Sequence, residues 1–227
     1  MTNIPKAPTL FSLDTPENEP GAELSVSLGG RLVAGLDEVG RGPLAGPVVA
    51  AAVVLDPERE IAGLADSKKL SEKKREALFS EIRERAWAVG VASVEANEID
   101  ELNILQASLV AMARAFSACE SALSQEIAGA VVDGNQIAPL PERVRQRTVV
   151  RGDSISPAIM AASIIAKVTR DRRMMEEAQR YPEYGFGQHK GYPTAAHRKM
   201  LMQFGPSPLH RQTFAPVRLA MRDRSES

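Results

Sequence analysis

One cysteine, Cys119, stands among 227 residues. That excludes an internal disulfide framework and fits a reducing compartment. Apolar runs are short: none approaches the roughly 20 residues that cross a bilayer. The N-terminus lacks the basic-then-apolar order of a secretory signal. A cytoplasmic protein with no membrane partner is expected. The chain also has no P-loop, no nucleophile-elbow serine, no paired cysteines and no HExxH motif. These absences remove common nucleotide-binding, serine-hydrolase and zinc-protease readings. With one cysteine and three histidines, zinc is a poor fit.

What is present suits one medium domain. Hydrophobic residues make up 44% and charged residues 25%, enough to fill a core and keep the surface solvated. The net charge of -1 hides an asymmetry. Residues 1–140 carry 12 Lys+Arg against 21 Asp+Glu, whereas residues 141–227 carry 16 against 8. A basic second half suits a polyanionic partner, and equally a set of solvated helix faces.

Residues 1–30, with four prolines, scattered acids and little periodicity, read as a loosely attached, disordered leader. From Arg31 the texture changes. Arg31–Val39 and Val48–Leu55 read as strands joined by a glycine-proline turn, and Ala88–Val94 as a third. Ala130–Val132 and Thr148–Val150 are shorter apolar runs of the same kind. Helical spacing falls between them. Ser71–Trp87 opens on a capping serine, and Asn103–Leu123 places Leu105, Leu109, Met112 and Phe116 on one stripe. Ser156-Pro157 starts a helix running to about Arg180. Thr194–Phe204 is another, stopped by Gly205-Pro206. Strands interleaved with helices give an α/β domain with helices packed on a central sheet.

Three strand-like runs end in acids: Asp37-Glu38, Asp133 and Asp153. Carboxylates at the end of a core strand are expensive to desolvate unless paired. A hard divalent cation, Mg²⁺ or Mn²⁺, is a fitting partner because it prefers oxygen ligands. Brought to one sheet edge, these acids would hold two metals about 3.5–4 Å apart, which clamp the attacking and leaving oxygens of a phosphoryl displacement. The bland readings stand beside this one. Asp37-Glu38 suits an acidic surface turn, Asp133-Gly134 a turn, and Asp153 a helix cap.

The motifs resemble those of the type 2 ribonucleases H. The matching segments are Gly35-Leu36-Asp37-Glu38-Val39-Gly40-Arg41-Gly42-Pro43, Asp66-Ser67-Lys68-Lys69-Leu70, and the helix from Ala161 to Arg172. Tyr184-Gly185-Phe186, His189-Lys190-Gly191-Tyr192-Pro193-Thr194 and His197 complete the match. They lie in order from about residue 31 to 212. Val39 stands where many members have alanine. The resemblance implies a ribonuclease H-like fold: a mixed sheet flanked by helices, with a small helical C-terminal extension up to 212 and a tail over 213–227.

It also implies a metal-dependent endonuclease, expected to be a monomer, that cuts the RNA strand of RNA/DNA hybrids. Duplex DNA carrying single ribonucleotides is a further expected substrate. On this resemblance Asp37, Glu38, Asp133 and Asp153 bind Mg²⁺ or Mn²⁺. Gly40, Arg41 and Gly42 sense the ribose 2′-hydroxyl, and Tyr192 packs on the sugar at the DNA side of the junction. Lys68 is a candidate phosphate contact. Roles for Lys167, Asp171, His189 and His197 stay open, the histidines being expected as structural or phosphate-contacting groups. Two rivals remain: another metal nuclease of the same fold, and a non-catalytic nucleic-acid-binding module.

Overall fold

The computed structural model describes residues 20–225. Five strands form one sheet: β1 (Val33–Val39), β2 (Val48–Val54), β3 (Ala88–Val94), β4 (Gly129–Asp133) and β5 (Arg145–Val149). Their order is β3-β2-β1-β4-β5. β1 pairs antiparallel with β2 and parallel with β4, so the sheet is mixed. β2 is buried along its whole length. That explains a continuous Val/Ala run in place of alternation, because both of its faces meet helices.

The helices are α1 (Pro20–Ser27), α2 (Glu72–Arg85), α3 (Ala96–Leu102), α4 (Ile104–Ser121), α5 (Pro157–Arg180), α6 (Phe186–His189), α7 (Ala195–Phe204) and α8 (Ala215–Ser225). One face of the sheet, with Leu36, Val48, Ala50 and Ala52, packs on Ala111, Met112, Ala115 and Phe116 of α4. The other, with Ala51 and Val53, packs on α2 and α5. A glycine marks each closest approach. A Cβ at Gly35 would lie 2.2 Å from the Ala158 backbone of α5, and one at Gly90 would lie 2.1 Å from the Ala115 carbonyl of α4. Asn103 caps α4 by accepting from the N–H groups of Leu105 and Gln106. Pro157 opens α5 in the first turn, where its missing N–H costs nothing.

Both ends differ from expectation. Residues 20–27, assigned to the loose leader, form α1, and its Leu24 packs on Val131, Val149 and Ile159. Glu23 also pairs with Arg147 of β5. Residues 1–19 of that leader lie outside the described residues. The expected tail contains α8, whose Val217 and Ala220 are buried with Leu44 and Leu201. β1 runs through Asp37-Glu38 to Val39, as expected, and starts two residues later than Arg31. No single helix among the described residues is long and apolar enough to cross a membrane.

Candidate active site

β1 and β4 are parallel neighbours, with Leu36 opposite Val132. The next residues along are Asp37 and Asp133, so these acids stand side by side at the C-terminal ends of the two strands. Asp153 lies in a single 3₁₀ turn, Gly152–Ser154, just after β5. Its N–H approaches Asp133 Oδ1 at 3.4 Å. Glu38 follows Asp37 on β1 and meets the Arg41 guanidinium at 3.4 Å. All four sequence-predicted acids therefore gather at one edge of the sheet.

The edge is crowded with negative charge. Burial pushes the Asp37 carboxyl well above the usual carboxylate range, and the charges of Glu38 and Asp133 push it further; a Ser163 hydrogen bond opposes them. Burial raises Glu38 to about 7, despite Arg41. Asp133 is raised by burial and by Asp153. Lys68 Nζ lies 3.1 Å from Asp153 Oδ2. Burial lowers the Lys68 pKa, but the bond to Asp153 and the charges of Asp153, Asp66 and Asp37 outweigh that and raise it. The expected phosphate contact thus sits on a carboxylate. Beside Glu38, Arg41 and Asp133, Leu105, Leu109 and Met112 of α4 help to line a recess of about 80 Å³.

An all-oxygen donor set that disfavours its own ionisation suits a hard divalent cation, which would reverse the penalty. Among the described residues no three acidic, histidine or cysteine side chains already converge as a ready metal cage. The acids form an open row, so sharing an ion requires their side chains to turn inward.

The turn after β1 meets Tyr192. A Cβ at Gly42 would lie 3.7 Å from the Tyr192 ring. The Leu44 N–H donates to the Gly191 carbonyl at 2.8 Å. The sequence-predicted Gly40-Arg41-Gly42 loop and Tyr192 are thus neighbours, next to the acids. Gly40 requires its glycine: φ is +100°, and a Cβ would lie 2.4 Å from Arg170 Nε.

The sequence reading missed Arg170 and Arg211, both fully buried. Arg170 donates to the carbonyls of Pro47, Ala45 and Lys190, and its guanidinium lies 6.0 Å from the Tyr192 ring centre. Arg211 donates to the carbonyls of Gly40, Arg41, Pro43 and Gly46. These partners lie 120 or more positions away in sequence, save Lys190, so no local pattern signals them. The histidines pack together in one cluster. His189 stacks on His197 with ring centres 4.3 Å apart, and His197 Nε2 meets His210 Nε2 at 3.0 Å. His197 Nδ1 also bonds the Tyr192 carbonyl at 2.9 Å, which braces that loop from below. Lys167 and Asp171 pair with each other at 2.8 Å along α5.

Comparison with known proteins agrees. The model of the family described as Ribonuclease HII matches residues 34–217. A ribonuclease HII from Marinomonas sp. (strain MWYL1) is 59% identical over 190 residues, covering 83% of this chain and 92% of that protein. The crystal structure of ribonuclease H2 from Pyrococcus horikoshii OT3 superposes with a TM-score of 0.70 at 30% identity, covering 86% of this chain and 100% of that one. The PCNA:RNase HII complex from Archaeoglobus fulgidus gives a TM-score of 0.63 at 28% identity, covering 81% and 95%. With the family match running from β1 into the C-terminal helix, this chain belongs to the ribonuclease HII family and is a metal-dependent nuclease.

Proposed function

We propose that this protein is an endonuclease that hydrolyses the RNA strand of RNA/DNA hybrids and incises duplex DNA at single embedded ribonucleotides. The observation that carries the reading is adjacency: the row of Asp37, Glu38, Asp133 and Asp153 adjoins a turn whose Gly42 faces Tyr192. A general phosphodiesterase needs the acids. Only an enzyme that inspects the sugar gains from the neighbouring turn and ring.

In this reading the four carboxylates bind two divalent cations, Mg²⁺ or Mn²⁺. Held there, the cations would supply positive charge to the phosphodiester oxygens and ease deprotonation of an attacking water. The acids hold the attacking water in line, and cleavage leaves 5′-phosphate and 3′-hydroxyl ends. Lys68 exchanges its bond to Asp153 for a backbone phosphate as the substrate enters. The Gly40-Arg41-Gly42 backbone hydrogen-bonds the ribose 2′-hydroxyl, the group that separates RNA from DNA. The Tyr192 ring packs on the following deoxyribose. The enzyme works as a monomer in the cytoplasm.

The test is cleavage of a DNA duplex with one ribonucleotide, an RNA/DNA hybrid and an all-DNA duplex, each with Mg²⁺, Mn²⁺ or EDTA. Cutting of the first two alone, and only with metal, is expected. Cutting of the all-DNA duplex would point to a different nuclease on the same fold. Binding without cutting under every metal condition would leave a binding module.

A further inference from the structure

Arg170 and Arg211 are buried charges with no carboxylate partner at salt-bridge distance among the described residues; their side-chain hydrogen bonds there all run to backbone carbonyls. Burying a guanidinium is expensive, and apolar side chains of similar volume would fill the space without that cost. What a guanidinium adds is a rigid fork of donors. Arg211 applies it to one short turn: Gly40 O at 2.6 Å, Arg41 O at 3.0 Å, Pro43 O at 2.8 Å and Gly46 O at 2.8 Å. Its own N–H takes Leu44 O at 2.9 Å. Arg170 takes Ala45 O at 3.1 Å and Pro47 O at 2.9 Å. From Gly40 to Pro47, carbonyl after carbonyl is drawn to the inside.

The peptide geometry fixes what this does outside. In a trans peptide the N–H points opposite to the carbonyl of the same unit, and no cis bond occurs here. The Gly40 carbonyl shares its peptide with the Arg41 N–H, and the Arg41 carbonyl with the Gly42 N–H. Holding those carbonyls on Arg211 turns both N–H groups away from it. Neither N–H makes a hydrogen bond within the described residues. A charge on the carbonyl also strengthens the N–H of the same peptide as a donor. Arg170 extends the arrangement across the site. It holds the Lys190 carbonyl at 3.0 Å and lies beneath the Tyr192 ring, so one side chain ties the turn to the tyrosine loop.

Resting on the proposed reading of this turn as the ribose sensor, we infer that Arg170 and Arg211 are positioning residues for ribonucleotide recognition. Arg211 aims the Arg41 and Gly42 N–H groups at the 2′-hydroxyl. Arg170 fixes Tyr192 at the set distance from them. Neither arginine touches substrate.

The test measures affinity for a one-ribonucleotide duplex relative to an all-DNA duplex, in full-length protein made unable to cut by Asp133→Asn. The readout is the ratio of the two affinities, which a merely structural role leaves unmoved. Arg211→Lys keeps the charge but loses the fork, and is expected to cut the ratio about tenfold while all-DNA binding stays near its starting value. Arg170→Lys is expected to lower it as well. A ratio unchanged in both variants, with or without a fall in melting temperature, overturns the inference. A ratio near one before either substitution instead overturns the reading of the turn as a ribose sensor. Hydrogen exchange on the unsubstituted protein decides the matter if the variants do not fold. The Arg41 and Gly42 amides should gain protection with the one-ribonucleotide duplex and not with all-DNA; equal protection by both overturns the inference.

Discussion

The acid row and the Gly40–Pro47 turn adjoin each other and solve opposite electrostatic problems. The row is a set of buried and half-buried carboxyls with little cationic help: Lys68 reaches Asp153, and Arg41 reaches Glu38. The turn is backed by buried cations with no carboxylate at salt-bridge distance among the described residues, Arg170 and Arg211, whose donors end on carbonyls. Carboxylates left under-neutralised are ready for an ion that arrives from solvent. Guanidiniums whose donors end on the chain's own carbonyls hold backbone. One region is built to exchange partners and the other to keep them.

Removing one anion from the row gives the largest expected effect. Asp133→Asn should lower turnover by roughly a thousandfold, because a lost ligand misplaces the attacking water and weakens metal binding. It should also raise the melting temperature of the metal-free protein, since it relieves repulsion from Asp37 and Asp153. Near-normal turnover at saturating metal would remove Asp133 from the site.

The turn should break through its backbone. Gly40→Ala places a methyl against Arg170 at φ +100°, and a loss of about 3 kcal/mol in denaturant unfolding is expected. Gly134→Ala, at φ +93° but with nothing within 4 Å, should lose only about 1 kcal/mol. Equal losses would mean that the packing of Arg170 against the turn contributes little.

Tyr192→Ala should lower incision at a single ribonucleotide by about tenfold or more, and cleavage within a continuous hybrid by less. Proportional losses on both substrates would make Tyr192 a general binding residue.

The smallest effect is a pH-dependent shift of a few degrees in melting temperature on adding Mn²⁺. Glu38 is raised to about 7 from its ordinary 4.5, so its contribution to stability is full below about 4.5 and is lost as pH rises through about 7. Added cation offsets that loss, so the shift should be larger at pH 8 than at pH 5. His210, lowered by burial to about 3, works in the other direction: its contribution is present above about 6.5 and is lost as pH falls toward 3. It cancels when each pH is compared with and without metal. A shift equal at both pH values would separate metal binding from the ionisation of the row.

The row was legible in sequence and the backing of the turn was not. Asp37, Asp133 and Asp153 each follow an apolar run, and a run ending in an acid is a local signal. β3 falls on Ala88–Val94, the run read as a third strand, and α5 starts at Pro157. β5 was legible only at its end, because Arg145-Gln146-Arg147 lies at a sheet edge and carries no apolar run. α1 and α8 were missed because each buries only a few residues, Leu24 in one and Val217 and Ala220 in the other. Arg170 and Arg211 resembled surface charges, since carbonyl partners far away in sequence leave no residue-type signature.

The separation of cutting from reading is tested most directly by measuring binding preference and cleavage together in Asp133→Asn and Tyr192→Ala, on one-ribonucleotide, all-DNA and continuous RNA/DNA hybrid duplexes with Mn²⁺. Asp133→Asn is expected to keep the preference for the ribonucleotide duplex and lose cleavage. Tyr192→Ala is expected to lose much of the preference while still cutting a continuous hybrid. Loss of both properties in both variants would contradict the account, and would make the acid row and the turn a single inseparable unit.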